Sequence, residues 1–383
     1  MLLLDEAAAQ LKEIHRAKHY GLWRSEADER LNRELKEVQP FRDYRDIRIH
    51  MGDGSHLATS PKFGSWAINR LVEGMNPKEI LTQFQSEIER NISVYTEASP
   101  VWGGQIDEQC VINNEVNIVP EPEDSLVALL QKSSFERDKL PSHTAILHQT
   151  YTVTPAFEHC VAKNRTCSGT STTLPPRKER DAVRVRVRLA CALASGGPVE
   201  LPLTALQPDR GALFVTGEGN QWGRAFGPRP LSSFPVKAKA VKRNYEALAA
   251  FDEFDSLERS IDRLARSRLA SSPADRALDL GIATEIALMH GQGENNAEIT
   301  HKIGIRAAWL LGQDIEERQT IFNEIKKLYS ARSQAVHSGT LTKKSRVDLN
   351  AADHLVTRLL KTILDLGYFP NWNRLAMGAG GQD

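Results

Sequence analysis

From residue 243 onward the chain repeats one pattern that few folds accommodate: apolar residues three and four apart, in five successive segments separated by short turns. On an α-helix that spacing gathers the apolar side chains into one stripe, which is stable only when buried against another element. The first segment runs from about 243 to 269, with Leu257, Ile261 and Leu264 on one face. The second, about 274–290, carries Leu278, Ile282, Ile286 and Met289, and the third, about 297–311, carries Ile299, Ile303, Ala307 and Leu310. The fourth starts at Asp314, which has capping-box spacing with Glu317; it carries Phe322, Ile325 and Leu328 and ends near His337, with Gly339 just past its end. The fifth, about 350–366, carries Leu355, Leu359 and Ile363. Five such helices predict an all-α bundle over 240–370, with residues 371–383 as a flexible tail.

Residues 1–230 read as a separate, mixed α/β domain, so the expected fold class for the chain is α+β. The first hundred residues look helical, with Asn76 and Pro77 as an N-cap and N1 pair ahead of Ile80, Phe84, Ile88 and Ile92. Val111, Ile112, Val116, Ile118 and Val119 suggest short strands around Asn113-Asn114, and 144–153 and 212–216 suggest two more. Residues 164–180 read as a loop or linker, and Pro228, Pro230 and Pro235 as a domain boundary. Val183, Val185, Val187 and Leu189 alternate like a strand, but the continuation to the Gly196-Gly197 stop favours a helix.

Lys+Arg and Asp+Glu both total 49, so no net field draws the protein to nucleic acid, and an RNA site must be a local basic patch. The four cysteines form no C-x-x-C pair, which argues against zinc ribbons and redox motifs and suits a reducing cytoplasm. No signal peptide or membrane-spanning run is expected. His15 and His19 lack the glutamate of a zinc-binding helix, Gly217 to Gly219 is too short for a phosphate loop, and Trp102-Gly103-Gly104 reads as a turn. No metal or cofactor is called for.

Two charges break the apolar stripes. Arg332 lies seven residues after Ile325 and four after Leu328, and Glu285 lies seven after Leu278 and three after Ile282. Burying either alone costs on the order of several kcal/mol, so each needs a partner or a wet groove. An Arg332–Glu285 pair that merely orients two helices meets that need as well as a functional one does. His337 follows Arg332 by five residues at the last helical turn, where it is either a helix cap or, if the chain bends, a second group in the same cleft. Residues 321–346 hold one acid, Glu324, against Lys326, Lys327, Arg332, Lys343, Lys344 and Arg346, the surplus a phosphate site needs.

The stretch from Asp279 to Gly339 resembles the Apea-like branch of the HEPN superfamily. IATEIAL is similar to the acidic helix of that family and places Glu285 in it; EITHKIGIRAAWLLG and DIEERQTIFNEIKKLY resemble the next helix and the approach to the active helix. RSQAVHSG resembles the superfamily's motif of Arg, four to six residues, then His. The resemblance implies an α-helical bundle that dimerises, with two Arg/His pairs facing a shared groove. It also implies metal-independent RNA cleavage, often in toxin–antitoxin or antiphage systems, with Arg332 and His337 at the catalytic positions. Ser333 stands where the superfamily most often has Asn, Asp or His, in a supporting role beside Glu285. Some relatives only bind RNA, nucleotides or proteins, and that is the alternative reading. In the nuclease reading RNA supplies its own nucleophile, the 2′-hydroxyl; a histidine moves a proton, and a guanidinium grips phosphate, leaving 2′,3′-cyclic phosphate and 5′-hydroxyl ends. The expected partners are RNA, a second copy of the chain, and an antitoxin or other regulator.

Overall fold

The computed structural model describes residues 1–17, 20–50, 56–57, 62–121, 144–154, 156–159, 174–201, 204–209, 211–213, 233–291, 298–342 and 347–378. The chain is α+β, with a helical C-terminal region. Its sheet strands are short, and the longest ordered set is β5-β6-β7-β3-β9: β5 (Cys110–Val111), β6 (Val116–Val119), β7 (Ile146–Val153), β3 (Ser93–Pro100) and β9 (Ala205–Pro208). The hairpin between β5 and β6 pairs antiparallel, Cys110 with Ile118. The Asn113 side chain makes its turn by accepting from the backbone N–H groups of Glu115 and Val116.

The chain divides into two compact units, neither continuous in sequence. Unit 1 comprises Met1–Glu97, Gln149–Arg180 and Ala205–Gln221; unit 2 comprises Ala98–His148, Asp181–Thr204 and Trp222–Asp383. The division differs from the expected boundary near residue 230, because Val101, Ile118, Leu147, Leu189 and Val199 share one apolar core with the C-terminal helices.

In unit 1, helices α1 (Leu2–Ala17), α2 (Tyr20–Glu34), α3 (Phe63–Val72) and α4 (Pro77–Arg90) enclose Phe41, Phe63 and Phe84. Asn76 caps α4 in a full capping box with Glu79, as its sequence predicts. The first hundred residues are not wholly helical: β1 (Ile47–His50) pairs antiparallel with β2 (His56–Leu57) and with β8 (Phe157–His159). The strand expected at 212–216 is not formed at Ala212 and Leu213; the strand sits earlier, at β9, and 214–216 lie outside the described residues.

Residues 177–180, expected in a loop, open helix α5 (Arg177–Ala194), and the ambiguous alternation of valines is helical. Val187, Leu189, Ala190 and Cys191 are buried. The arginines between them each find a partner, which removes the case for a two-faced strand: Arg184 pairs with Asp181 at 2.8 Å, Arg188 with Asp262 at 2.7 Å, and Arg186 lies over the rings of Tyr245 and Phe254.

From residue 238 onward the described residues form seven helices, two more than the periodicity predicts. Strand β10 (Phe234–Val236), parallel to β4 (Gly104–Ile106), leads into α6 (Ala238–Ala249). The single helix expected at 243–269 is α6 and α7 (Phe254–Leu269), parted at 250–253, where Phe251 turns into the core. Then come α8 (Pro273–Leu288), α9 (Ile299–Leu311), α10 (Ile315–Ser338) and α11 (Leu349–Leu366), close to their expected bounds. The expected tail is ordered at its start: α12 (Trp372–Ala376) forms because Trp372 and Leu375 are buried. Asp314 caps α10, and Gly339, at φ 67°, ends it in a left-handed turn that favours glycine. Among the described residues, no helix is long and apolar enough to cross a membrane.

Candidate functional site

The core face of α8 is not the expected stripe of Leu278, Ile282, Ile286 and Met289. Ala277, Leu280, Gly281, Ala283, Thr284 and Ala287 are buried, whereas Leu278, Ile282, Ile286 and Met289 are half-buried. Small residues let α7 and α10 approach α8 closely on either side. Ser260 of α7 donates to the Ala283 carbonyl at 2.6 Å. A Cβ on Gly281 would stand 2.6 Å from the Arg332 Cβ and 2.5 Å from its Cγ. Glycine at 281 therefore makes room for the stem of Arg332 and fixes where its guanidinium emerges.

That guanidinium emerges into a cleft of about 380 Å³. Ile282, Glu285, Ile286, Met289 and His290 form one wall, and Ser256, Arg259 and Arg332 face them. The half-buried stripe of α8 thus borders an open groove, and the two charges that break the stripes meet there. Arg332 Nη2 lies 3.2 Å from Glu285 Oε2, with both side chains a little over a quarter exposed. The contact is close but poorly aligned: Glu285 Oε2 and Arg332 Nε are buried atoms without a hydrogen bond. An unpaired buried donor such as Arg332 Nε is costly, and an arriving ligand with oxygen acceptors relieves that cost. Tyr329, one turn before Arg332, puts its ring 5.3 Å from the guanidinium carbon. Burial pushes the Tyr329 phenol up from its usual range, and the neighbouring Glu285 carboxylate adds to that.

This exposure revises the expectation of a buried pair. Exposed and half-exposed ion pairs contribute about 0.2–1 kcal/mol, not the 3–5 kcal/mol of a buried pair left half-made. Glu285→Ala is expected to lower stability by about 1 kcal/mol or less in denaturant titration; a loss above 3 kcal/mol would show that the pair is sealed from water.

The sequence-predicted residues are only partly brought together. Glu285 and Arg332 share the cleft, and Ser333 is half-buried beside Arg332 on α10. His337 is exposed and does not line the cleft. Helix α10 runs unbroken to Ser338, so the bend that would join His337 to Arg332 within one chain is absent. On a regular helix His337 stands about 7.5 Å along and about 140° around from Arg332. Lys326 and Lys327 are exposed on α10, and Lys327 is tied to Glu324 at 2.6 Å. Lys343, Lys344 and Arg346 lie outside the described residues, as do His19, Gly217 to Gly219 and the side chain of His15. Trp102 makes an isolated bridge to Glu200, while Gly104 belongs to β4 rather than to a turn.

No protein-family model, curated protein or solved structure matches this chain.

The functional reading therefore stands on the cleft. Three of its residues were not foreseen: Ser256, Arg259 and His290. Arg259 is exposed and donates to Ser256 Oγ at 3.2 Å. His290 lies two residues past the end of α8, at the limit of the expected helix, and no spacing pointed to it. Among the described residues, no group of three His, Cys, Asp or Glu side chains is placed to hold a metal ion.

Proposed function

We propose that the chain is an HEPN-type endoribonuclease that cleaves RNA without a metal ion, through Arg332 and His337. The observation that carries this reading is Arg332 itself: an arginine on the buried stripe of α10, seated against Gly281, opens into a solvent-filled cleft beside an imperfectly bonded carboxylate. A guanidinium in that setting suits a two-point grip on a phosphate, with Glu285 holding it in place until RNA arrives. His337, at the exposed end of the same helix, is accessible to an incoming strand. A homodimer joining the ends of α10 from two copies would set two Arg332/His337 pairs around one groove, with Ser333, Lys326 and Lys327 as flanking contacts. Such an enzyme acts in the cytoplasm, under an antitoxin or other regulator, as a toxin or defence effector.

A second reading, a module that binds RNA or nucleotides without cutting them, is favoured by the position of His337 outside the cleft. Incubation of the purified chain with RNA in EDTA separates the two. The nuclease reading expects cut RNA with 2′,3′-cyclic phosphate ends; strict dependence on a divalent ion overturns it, and retained binding without cutting establishes the second.

A further inference from the structure

Cleavage of RNA at its own 2′-hydroxyl needs two proton transfers, one from the attacking 2′-oxygen and one to the departing 5′-oxygen. The reading above gives His337 one of them. The cleft contains a histidine of its own.

We propose that His290 is the second proton-transfer group of this site and serves the 5′-oxygen of the phosphodiester held by Arg332. The proposal rests on the nuclease reading. Its basis is that His290 is fixed as a working side chain is, and lines the same cleft as Arg332. Its Nε2 lies 2.9 Å from Glu253 Oε2, and its ring stacks on Phe369 at 4.1 Å with planes 21° apart. The turn that carries it is anchored from below. The buried Arg306 donates to the Leu288 carbonyl at 2.7 Å and contacts the Met289 sulfur at 3.1 Å. The imidazole is nonetheless 21% exposed. A carboxylate on Nε2 orients the ring and leaves Nδ1 for the substrate.

The step balances with no further reagent. The 2′-oxygen forms a bond to phosphorus and gives its proton to a His337 that the proposed homodimer brings to the groove. The bond from phosphorus to the 5′-oxygen breaks, and that oxygen takes a proton from His290. Arg332 offsets the charge on the non-bridging oxygens. At the end His337 holds the proton of the 2′-hydroxyl and His290 lacks the one it gave to the 5′-oxygen, and exchange with water restores both.

The test compares wild type, His290→Gln and Glu253→Gln on two substrates: RNA, and uridine 3′-(p-nitrophenyl phosphate), whose leaving group departs unprotonated. On RNA, His290→Gln is expected to be slower by about 100- to 10,000-fold, and to lose the alkaline limb of the pH–rate profile. On the nitrophenyl ester it should stay within about tenfold of wild type, as expected when only leaving-group protonation is lost. Glu253→Gln, at a half-exposed side chain that the fold does not need, is expected to show the same selectivity more weakly. A His290→Gln variant that cuts RNA at the wild-type rate overturns this proposal and leaves the nuclease reading intact. Equal losses on both substrates overturn it too, because they mark a structural role. If His290→Gln does not fold, the same two outcomes are read from Glu253→Gln. A wild type that cleaves neither substrate overturns the nuclease reading and this proposal together.

Discussion

Arg268→Ala is expected to destabilise unit 2 by about 3–5 kcal/mol, the cost of leaving a buried charge without its partner. Arg268 ends α7 with its side chain 3% exposed and grips Asp353 of α11 through two nitrogens, Nη2 to Oδ1 at 2.9 Å and Nε to Oδ2 at 3.0 Å. Its remaining donors reach the Ala192 carbonyl of α5 at 2.6 Å and the Thr357 hydroxyl at 2.8 Å. The alanine variant leaves the Asp353 carboxylate, 7% exposed, with only long contacts to Arg276 at 3.9 Å and the Thr357 hydroxyl at 3.5 Å. Denaturant unfolding followed by helical circular dichroism measures the loss, and a change under about 1 kcal/mol would mean that water reaches the pair. Arg268→Met with Asp353→Leu should recover much of the loss, since apolar replacement of both partners removes the stranded charge. The contrast with Arg332–Glu285 is informative. One pair is closed and fully bonded, as a structural clasp is; the other is open, misaligned and set in a cleft.

The helices whose signals were local were legible in the sequence. α9, α10 and α11 each show a stripe in register, and α10 adds a capping aspartate, Asp314. Signals that depend on a neighbour were not. The break between α6 and α7 carries no glycine or proline, and Phe251 turns inward only because a core is there to receive it. The buried face of α8 is mostly alanine, glycine and threonine beside Leu280 and Leu288, so it carries little hydrophobic signal; its use follows from the close approach of α7 and α10. Of the large residues that seemed to mark its core, Ile282, Ile286 and Met289 instead line the cleft. At the site, the misplaced charges at 285 and 332 led to one groove because a charge on an apolar stripe needs an explanation. His290 and Arg259 belong to that groove through the fold alone. The expectation that Arg332 and His337 share a cleft within one chain failed on a matter of helical geometry: α10 does not end before His337.

His337→Ala carries the largest expected effect on activity. As a helix cap His337 contributes about 0.3–1 kcal/mol through the helix dipole, and its exposed side chain packs against no core. The variant should therefore fold and melt like wild type. As a proton-transfer group its loss should slow RNA cleavage by about 100- to 10,000-fold, and any toxicity to an expressing cell should vanish with it. Normal cleavage by a folded His337→Ala protein would remove His337 from the mechanism.

The central claim is that Arg332 in its cleft is the phosphate grip of a metal-independent ribonuclease. It is tested most directly by assaying wild type and a folded Arg332→Ala variant side by side, in EDTA, for RNA fragments ending in 2′,3′-cyclic phosphate. The account predicts such fragments from wild type and almost none from Arg332→Ala. Equal cleavage by the two proteins, or no cleavage by wild type, would contradict it.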